Sequence, residues 1–278
     1  MIKNQRCLIT GSAGSLGSEL ARQLSQNNSV YGLDNNETAQ FELYEELKEL
    51  GISIKTRVGD IRDNETLNDV FRDFEPSIVI NAAAYKHVVP MELNPIEAVN
   101  TNIIGTNNLI RACKKFDVEK FILISTDKVV NGESIMGLTK KIAEKIVKNA
   151  GYVSVRFGNV INSRGSLIPI WQKQIDKGRN LTITDKAMER YFMTIPQAVE
   201  LVIKAVEIGK AGETICLDMG QRFNIYELAQ KVLKEVSNPV GIDIIGKKEG
   251  ECLTEEVMSE NEKKRAIKKD NFYIIKPK

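Results

Sequence analysis

The chain has 278 residues, 42% of them hydrophobic, and a formal net charge of +2 spread along its length. That balance supplies no basic patch for nucleic acid and no polybasic stretch for an anionic membrane. No apolar run approaches the ~20 residues of a membrane span and the first residues lead into a strand, so a cytoplasmic protein is expected, with a dominant domain and a smaller lobe.

The four cysteines, Cys7, Cys113, Cys216 and Cys252, show neither paired spacing nor neighbouring histidines, so neither disulfides nor a metal site is expected. Only one histidine exists, His87, and any mechanism that needs an imidazole base rests on it. A structural role for His87, bonded to nearby backbone, is favoured over catalysis.

Cys7 to Thr10 reads as a buried strand running into Gly11-Ser12-Ala13-Gly14-Ser15-Leu16-Gly17 and then a helix. Glycines at this spacing permit a tight turn and close approach of backbone to a pyrophosphate, whose charge the helix N-terminus favours. A second strand, Ser29 to Leu33, ends in Asp34 with Asn35 beside it, about 20 residues past the glycines, where an acidic side chain binds adenosine ribose hydroxyls. Between Asp34 and Lys48 there is no basic residue and Glu37 adds negative charge, which favours NAD over NADP.

The helical segment Thr38 to Leu50 leads to a strand at Ile54 to Val58, after which Asp60 and Ile61 are expected to flank the adenine. Asn64 to Phe74 has helical periodicity, and Ile78 to Asn81 is the next strand, ending in Ala82, Ala83 and Ala84 where small side chains let a cofactor pass. Lys86 and His87 follow. A long helix is expected from Asn94-Pro95 to Phe116, with Asn102 buried on it and serving both structure and a proton path. Strand and helix alternate throughout, the pattern of a doubly wound parallel sheet.

Phe121 to Ile124 is short, apolar and β-branched, then ends abruptly in Ser125, Thr126, Asp127 and Lys128. In parallel sheets ligands sit at the carboxyl ends of strands, so an acid and an amine emerging there mark the candidate reaction centre. Because their unperturbed pKa values favour both being charged, Asp127 and Lys128 are expected to point to different parts of a substrate, the chain leaving the strand between them. The helix from Ser134 to Asn149 then places Met136 and Lys140 four apart on one face.

Val153 to Phe157 is another sheet strand, followed by Asn159 and by Ser163-Arg164-Gly165-Ser166. Arg164 and Arg190 are candidates for a diphosphate, which a guanidinium meets in a bidentate fork. The helix Pro196 to Ile208 and the strand Thr214 to Asp218 return to the main sheet, Glu255 to Lys269 reads as a charge-rich helical run with a solvated face, and Phe272 to Ile275 as a last strand. The expected division is residues 1–160 with 196–220 as the dinucleotide-binding domain, and 161–195 with 221–278 as the smaller lobe.

At Met136 and Lys140 the chain resembles the extended short-chain dehydrogenase/reductase superfamily, a Rossmann-type fold whose spacing here is Tyr and Lys. Met136 occupies the tyrosine position, and a thioether transfers no proton, so alcohol oxidation by a phenolate is excluded. Together with NAAAYKHV, NPIEAVNTNIIGTNN, STDK, MGLTK, RFGNVINSRGSLIP, LTITDKAMERYFMTIPQAVEL, ICLDMG and the closing FYIIKP, this substitution is similar to one narrower family. It is the nucleotide-sugar 4,6-dehydratases of polysaccharide biosynthesis that act on UDP-N-acetylglucosamine. Gly132 stands where that family usually has Pro, Lys248-Glu249-Gly250-Glu251-Cys252 replaces a common Arg-Pro-Gly-Glu-Lys, and the link from Lys148 to Val153 is shorter than usual.

The resemblance implies a lyase in which bound NAD oxidises sugar C4, Lys128 removes the C5 proton and Asp127 protonates the departing C6 hydroxyl. It also implies Thr126 on the C4 oxygen, Lys140 on the nicotinamide ribose, and Ser125 and Asn102 beside the cofactor. Lys86, His87, Asn159, Arg164, Ser166, Arg190 and Glu251 fall to the UDP-sugar, and a homo-oligomer, dimer or hexamer, is expected. Two other readings share parts of this pattern. A 4-epimerase on the same substrate releases a sugar of unchanged mass, and a non-catalytic dinucleotide-binding protein fits the loss of the tyrosine.

Overall fold

The computed structural model describes residues 2–237 and 239–277. Its first half alternates strand and helix: β1 Arg6–Thr10, α1 Ser15–Leu24, β2 Ser29–Asp34, α2 Glu37–Glu49, β3 Lys55–Val58, α3 Asn64–Phe74 and β4 Ile78–Asn81. Next come α4 Val88–Leu93, α5 Pro95–Ala98, a π-helical stretch Val99–Gly105, α6 Thr106–Lys115, β5 Lys120–Ile124, a 3-10 turn Asp127–Val129, α7 Ile135–Asn149 and β6 Val153–Arg156. The long helix expected from 94 to 116 is thus present in three joined pieces.

The second half contributes β7 Asn159–Val160, α8 Leu167–Asp176, β8 Leu181–Ile183, β9 Glu189–Arg190, β10 Phe192–Met193, α9 Ile195–Ile208 and β11 Thr214–Leu217. It ends with β12 Phe223–Asn224, α10 Ile225–Lys234, β13 Ile242–Ile244, α11 Glu260–Lys263, β14 Ala266–Lys269 and β15 Phe272–Ile275.

Among the described residues one nine-stranded sheet runs in the order β14-β15-β11-β6-β5-β4-β1-β2-β3. Pairing is parallel from β3 to β11, and β15 and β14 close the far edge antiparallel. Apolar side chains alternate across the central strands: Cys7 and Ile9 join Leu20, Leu24 and the α9 residues Val199 and Val202 on one face. Leu8 joins Phe71, Leu109, Phe121 and Val147 on the other. Two buried faces on one strand explain why these strands read as nearly continuous apolar runs. The chain order and layers are those of a doubly wound, Rossmann-type sheet of the extended short-chain dehydrogenase/reductase kind.

A second, smaller core gathers Trp171, Leu181, Ile183, Met188, Ile225 and Ala229 from α8, β8 and α10. It sits beyond the carboxyl ends of the sheet strands and carries the two-stranded pairs β8 with β13 and β9 with β12. Two expectations are corrected. Only four residues of Glu255 to Lys269 are helical, residues 266–269 are a strand, and Glu255, Val257 and Met258 are buried, because that segment packs against Cys216 of β11 and Ile275 of β15 instead of lying in solvent. Residues 266–275, grouped by sequence with the small lobe, extend the large sheet.

Candidate active site

The site lies at the carboxyl ends of β1, β4, β5 and β6, where a cavity of about 750 Å³ runs from the glycine turn to the small lobe. Gly11, Gly14, Ser15, Leu16, Gly17, Ala82, Ala84, Ser125 and Lys140 line its inner part. Gly11 holds φ +69°, and a Cβ there would stand 2.6 Å from the Ala83 backbone nitrogen. At Gly17 a Cβ would come within 2.1 Å of the Gly11 carbonyl oxygen. Only glycine lets α1 start this close to β1. No side chain caps the α1 N-terminus at Gly14, so its first amides are left for an anion.

Asp34 ends β2 beside that turn: its Oδ2 accepts from the Ala13 amide (2.9 Å) and its Oδ1 from the Asn36 amide (2.9 Å). Asn35 donates to Asp60 (3.2 Å), and Asp60 is held by the guanidinium of Arg62. Burial raises the Asp60 pKa, but the bonds from Arg62 and Asn35 outweigh it and hold the carboxyl below its ordinary range. Arg62 also pairs with Glu97 (2.9 Å), so its charge is already answered within the protein.

Several expected cofactor residues act from behind the cavity wall. Ser12 is buried and bonds Gln40 (2.9 Å), Ile61 is buried below Gly105, and Ala13 and Ala83 are parts of the turn and its support. Asn102 does not line the cavity. Its amide nitrogen donates to the Tyr85 carbonyl (3.0 Å) and Thr139 Oγ1 (3.1 Å), and its oxygen accepts from the Tyr85 amide (2.9 Å). It fixes the loop after β4 from behind the cavity wall.

Beyond β5 the 3-10 turn folds the chain back, and the side chains of Thr126, Asp127 and Lys128 converge. Thr126 Oγ1 donates to Asp127 Oδ1 (2.9 Å), and the Lys128 ammonium donates to the same oxygen (3.1 Å). The expectation that Asp127 and Lys128 point apart is therefore corrected: the turn brings them into direct contact. Lys128 also donates to Asn159 Oδ1 (3.3 Å) and to Glu255 Oε2 (3.0 Å). Asp127 Oδ2 is buried without a hydrogen-bond partner among the described residues, as is Ser125 Oγ. Burial alone would lower the Lys128 pKa, but the charges of Asp127 and Glu255 and its bonds to both prevail and raise it above the ordinary lysine value.

Met136 and Lys140 share the α7 face toward the cavity, as their spacing predicts. Met136 packs on Met91 and Ala98, and Lys140 donates to the Ile124 carbonyl oxygen (2.6 Å). Burial pushes the Lys140 pKa down to about 8, with Glu144 acting in the opposite sense. Ser134 caps the helix by accepting from the Gly137 amide (3.0 Å), which sets the α7 start against the 3-10 turn.

All seven residues expected on the sugar nucleotide line the outer cavity. Lys86 donates to Ser163 Oγ (3.3 Å), and burial together with the Lys128 charge lowers its pKa. His87 lies against Gly165, and burial with the nearby Lys86 charge lowers its pKa too. Ser166 Oγ is buried with no hydrogen-bond partner among the described residues, while Glu251 accepts from the Lys248 amide (3.0 Å). Arg164 is largely exposed, its guanidinium 4.0 Å from Glu42 and its amide donating to Ser15 Oγ (2.9 Å).

Arg190 departs from expectation. Its Nη1 donates to the carbonyls of Glu189 (2.7 Å) and Leu253 (2.9 Å), its Nη2 to that of Cys252 (2.8 Å), and its Nε faces Glu255 (3.4 Å). One N–H of five is left, so the side chain clamps residues 252–255 more than it offers a fork to phosphate. Glu255 itself was missed by sequence reasoning. The signal lay in the apolar pair Val257-Met258 two residues on, which marks that segment as buried.

A dinucleotide turn, an acid at the end of β2, and Thr126 and Lys128 on the cavity wall with Asp127 buried behind them, bonded to both, define the class: nucleotide-sugar dehydratases and epimerases of the extended short-chain dehydrogenase/reductase fold. The chain belongs to the polysaccharide biosynthesis protein family, whose model matches residues 7–277. The probable polysaccharide biosynthesis protein EpsC of Bacillus subtilis is 42% identical over 94% of this chain, which spans only 46% of EpsC. This chain thus covers about half the length of that relative. A UDP-N-acetylglucosamine 4,6-dehydratase (inverting) of Campylobacter jejuni is 33% identical over 100% of this chain and 84% of its own length. A UDP-glucose 4-epimerase of Rickettsia bellii matches at 33% over 99% and 84%. The X-ray structure of Pen from Bacillus thuringiensis superposes with a TM-score of 0.93 at 34% identity, covering 98% of this chain and 86% of that one.

Proposed function

We propose that this chain removes water from UDP-N-acetylglucosamine as a 4,6-dehydratase with NAD as resident cofactor. The observation that carries the reading is the hydrogen-bonded run Thr126, Asp127, Lys128 beside a tyrosine position filled by Met136. A carboxyl and an amine beside one sugar serve elimination, whereas epimerisation asks only for reversible C4 oxidation and gives Lys128 no proton of its own to move. The uncapped α1 N-terminus and the close glycine turn fit a pyrophosphate, and Asp34 with paired Arg62 suits an unphosphorylated ribose. When bound, NAD supplies hydride chemistry, from C4 and back to C6.

The side chains then carry the protons. The C4 hydroxyl proton passes to Thr126 Oγ1 as Thr126 gives its own to Asp127. Lys128, once its ammonium proton has left, takes the proton from C5. The electron pair forms the C5–C6 double bond, the C6–O bond breaks, and Asp127 protonates the departing hydroxyl, which leaves as water. Lys128 afterwards returns a proton to C5. Lys140, buried at the end of β5, holds the nicotinamide ribose, and Lys86, Arg164 and Ser166 face the sugar nucleotide. We also propose that residues of the small lobe, 161–195 and 221–258, close the outer cavity as the sugar-nucleotide domain, and that the protein works as a homo-oligomer.

The test is incubation with UDP-N-acetylglucosamine and NAD followed by mass spectrometry and NMR. A 4-keto product lighter by one water supports the reading; a sugar of unchanged mass with C4 inverted assigns the protein to the epimerases.

A further inference from the structure

Met136 leaves the site without a phenolate, so the C4 hydroxyl proton and the Lys128 ammonium proton both need a home before elimination begins. Asp127 takes one of them. The group in contact with Lys128 on its other side is Glu255, 6% exposed, with Oε2 at 3.0 Å from the ammonium and Oε1 at 3.4 Å from Arg190 Nε. Asp127, Lys128 and Glu255 thus form a bonded row that continues from Thr126, and Arg190 neutralises whatever charge Glu255 keeps.

We propose that Glu255 is a proton-holding positioning residue that accepts the Lys128 ammonium proton and so frees the amine to act on C5. The inference rests on the dehydratase reading. The protons balance over a turnover. At rest the row is Asp127 carboxylate, Lys128 ammonium, Glu255 carboxylate. After C4 oxidation it is Asp127 acid, Lys128 amine, Glu255 acid. Elimination returns the Asp127 proton as part of water and moves the C5 proton to Lys128. Reprotonation of C5 empties Lys128 again, and Glu255 hands its proton back to restore the resting row. No exchange with bulk solvent is needed.

The surroundings suit such a residue. Burial raises the Glu255 pKa, Lys128 and Arg190 lower it, and Asp127 raises it, with the net direction upward. The charged and titratable groups facing this row are Asp127 and Lys128 from the 3-10 turn, Arg190 from β9, Lys86 from the loop after β4, and Cys252 from the same segment as Glu255. Cys252 bonds Glu133 (3.3 Å). The row is reached through a second, smaller cavity of about 180 Å³ lined by Asp127, Glu133, Arg190, Cys252 and Glu255.

The test compares the pH profile of dehydration in the wild type and in Glu255→Gln, with unreactive Cys7, Cys113 and Cys216 thiols as the check that the variant is folded. The proposal expects a turnover flat between about pH 6 and 7.5 in the wild type, below the range in which Lys140 titrates, because the proton stays inside the row. In Glu255→Gln turnover should be lower by on the order of 10²-fold at pH 7 and rise about tenfold per pH unit, as solvent now has to take the lysine proton. A folded Glu255→Gln with the wild-type profile overturns it. The second measurement is independent of turnover and uses the wild type alone: the Lys128 Cε carbon-13 shift, assigned by its loss in Lys128→Arg. A midpoint above the ordinary ~10.4 is expected for an ammonium held by two carboxylates, and one at or below it overturns the assignment. If the wild type forms no dehydrated product while Lys128 titrates above the ordinary lysine value, the dehydratase reading fails and the Glu255 contact stands.

Discussion

The C-terminal segment reaches the active centre because Arg156 pulls it in, and replacing Arg156 by Met tests that attachment. All five guanidinium N–H groups are used: Nε and Nη2 on the two oxygens of Glu144 (3.0 and 2.7 Å), Nη1 and Nη2 on those of Glu262 (3.1 and 3.0 Å), and Nη1 on the Val257 carbonyl (3.0 Å). The side chains are 5%, 9% and 16% exposed for Arg156, Glu144 and Glu262. Met keeps most of the volume, so the loss is electrostatic: two carboxylates are left without their cation in a poorly solvated place. Removing one partner of a buried pair costs about 3–5 kcal/mol. The assay is the urea midpoint of Arg156→Met against wild type at neutral pH, and a difference below about 1 kcal/mol refutes the reasoning.

The same pair sets a pH dependence. Burial raises the Glu262 pKa, but the bonds and charge of Arg156 and the Ser259 backbone bond outweigh it and bring it from 4.5 down to about 2. Its folded pKa lies below the unfolded one, so its contribution is full above about pH 4.5 and is lost as pH falls toward 2. The gap between wild type and Arg156→Met should therefore narrow over that window.

Other predictions follow from the site. Lys128→Ala and Asp127→Asn should each lower dehydration by about 10²–10⁴-fold while dinucleotide binding, read by calorimetry, stays within a few-fold. Gly17→Ala should weaken dinucleotide binding at least about tenfold and cost about 1–3 kcal/mol, since its Cβ would meet the Gly11 carbonyl at 2.1 Å; unchanged binding would count against the turn as the pyrophosphate site. Lys140 has a folded pKa of about 8 against 10.5 unfolded. The unfolded chain then holds more protons between those values, so stability should rise with pH from about 8 to 10.5 and Lys140→Met should flatten the rise in a urea series.

The sheet was readable because strands such as β1 and β5 are buried on both faces, which leaves uninterrupted apolar runs between glycine turns and caps. The glycine turn, Asp34 and the Met136–Lys140 face were legible for a similar local reason: each depends on neighbours in the chain. What escaped was long-range. Glu255 meets Lys128 across 127 residues of sequence, and a run of charges gives no sign that one of them is buried. Arg190 likewise looks like a phosphate ligand until the carbonyls of 189, 252 and 253 are seen to occupy it. The direct contact of Asp127 with Lys128 depends on a three-residue turn whose hydrogen bonds, not its composition, fold the lysine back.

The most direct measurement of the central claim is the reaction with UDP-N-acetylglucosamine and NAD run in deuterium oxide, with the product read by NMR. The resting Lys128 ammonium and its row are deuterated by solvent before the sugar binds, and the C5 proton joins two deuterons on that amine, so the account predicts a dehydrated 4-keto sugar carrying deuterium at C5 in a large share of molecules, and none formed by Lys128→Ala. A dehydrated product with only protium at C5, or full turnover by Lys128→Ala, would contradict it.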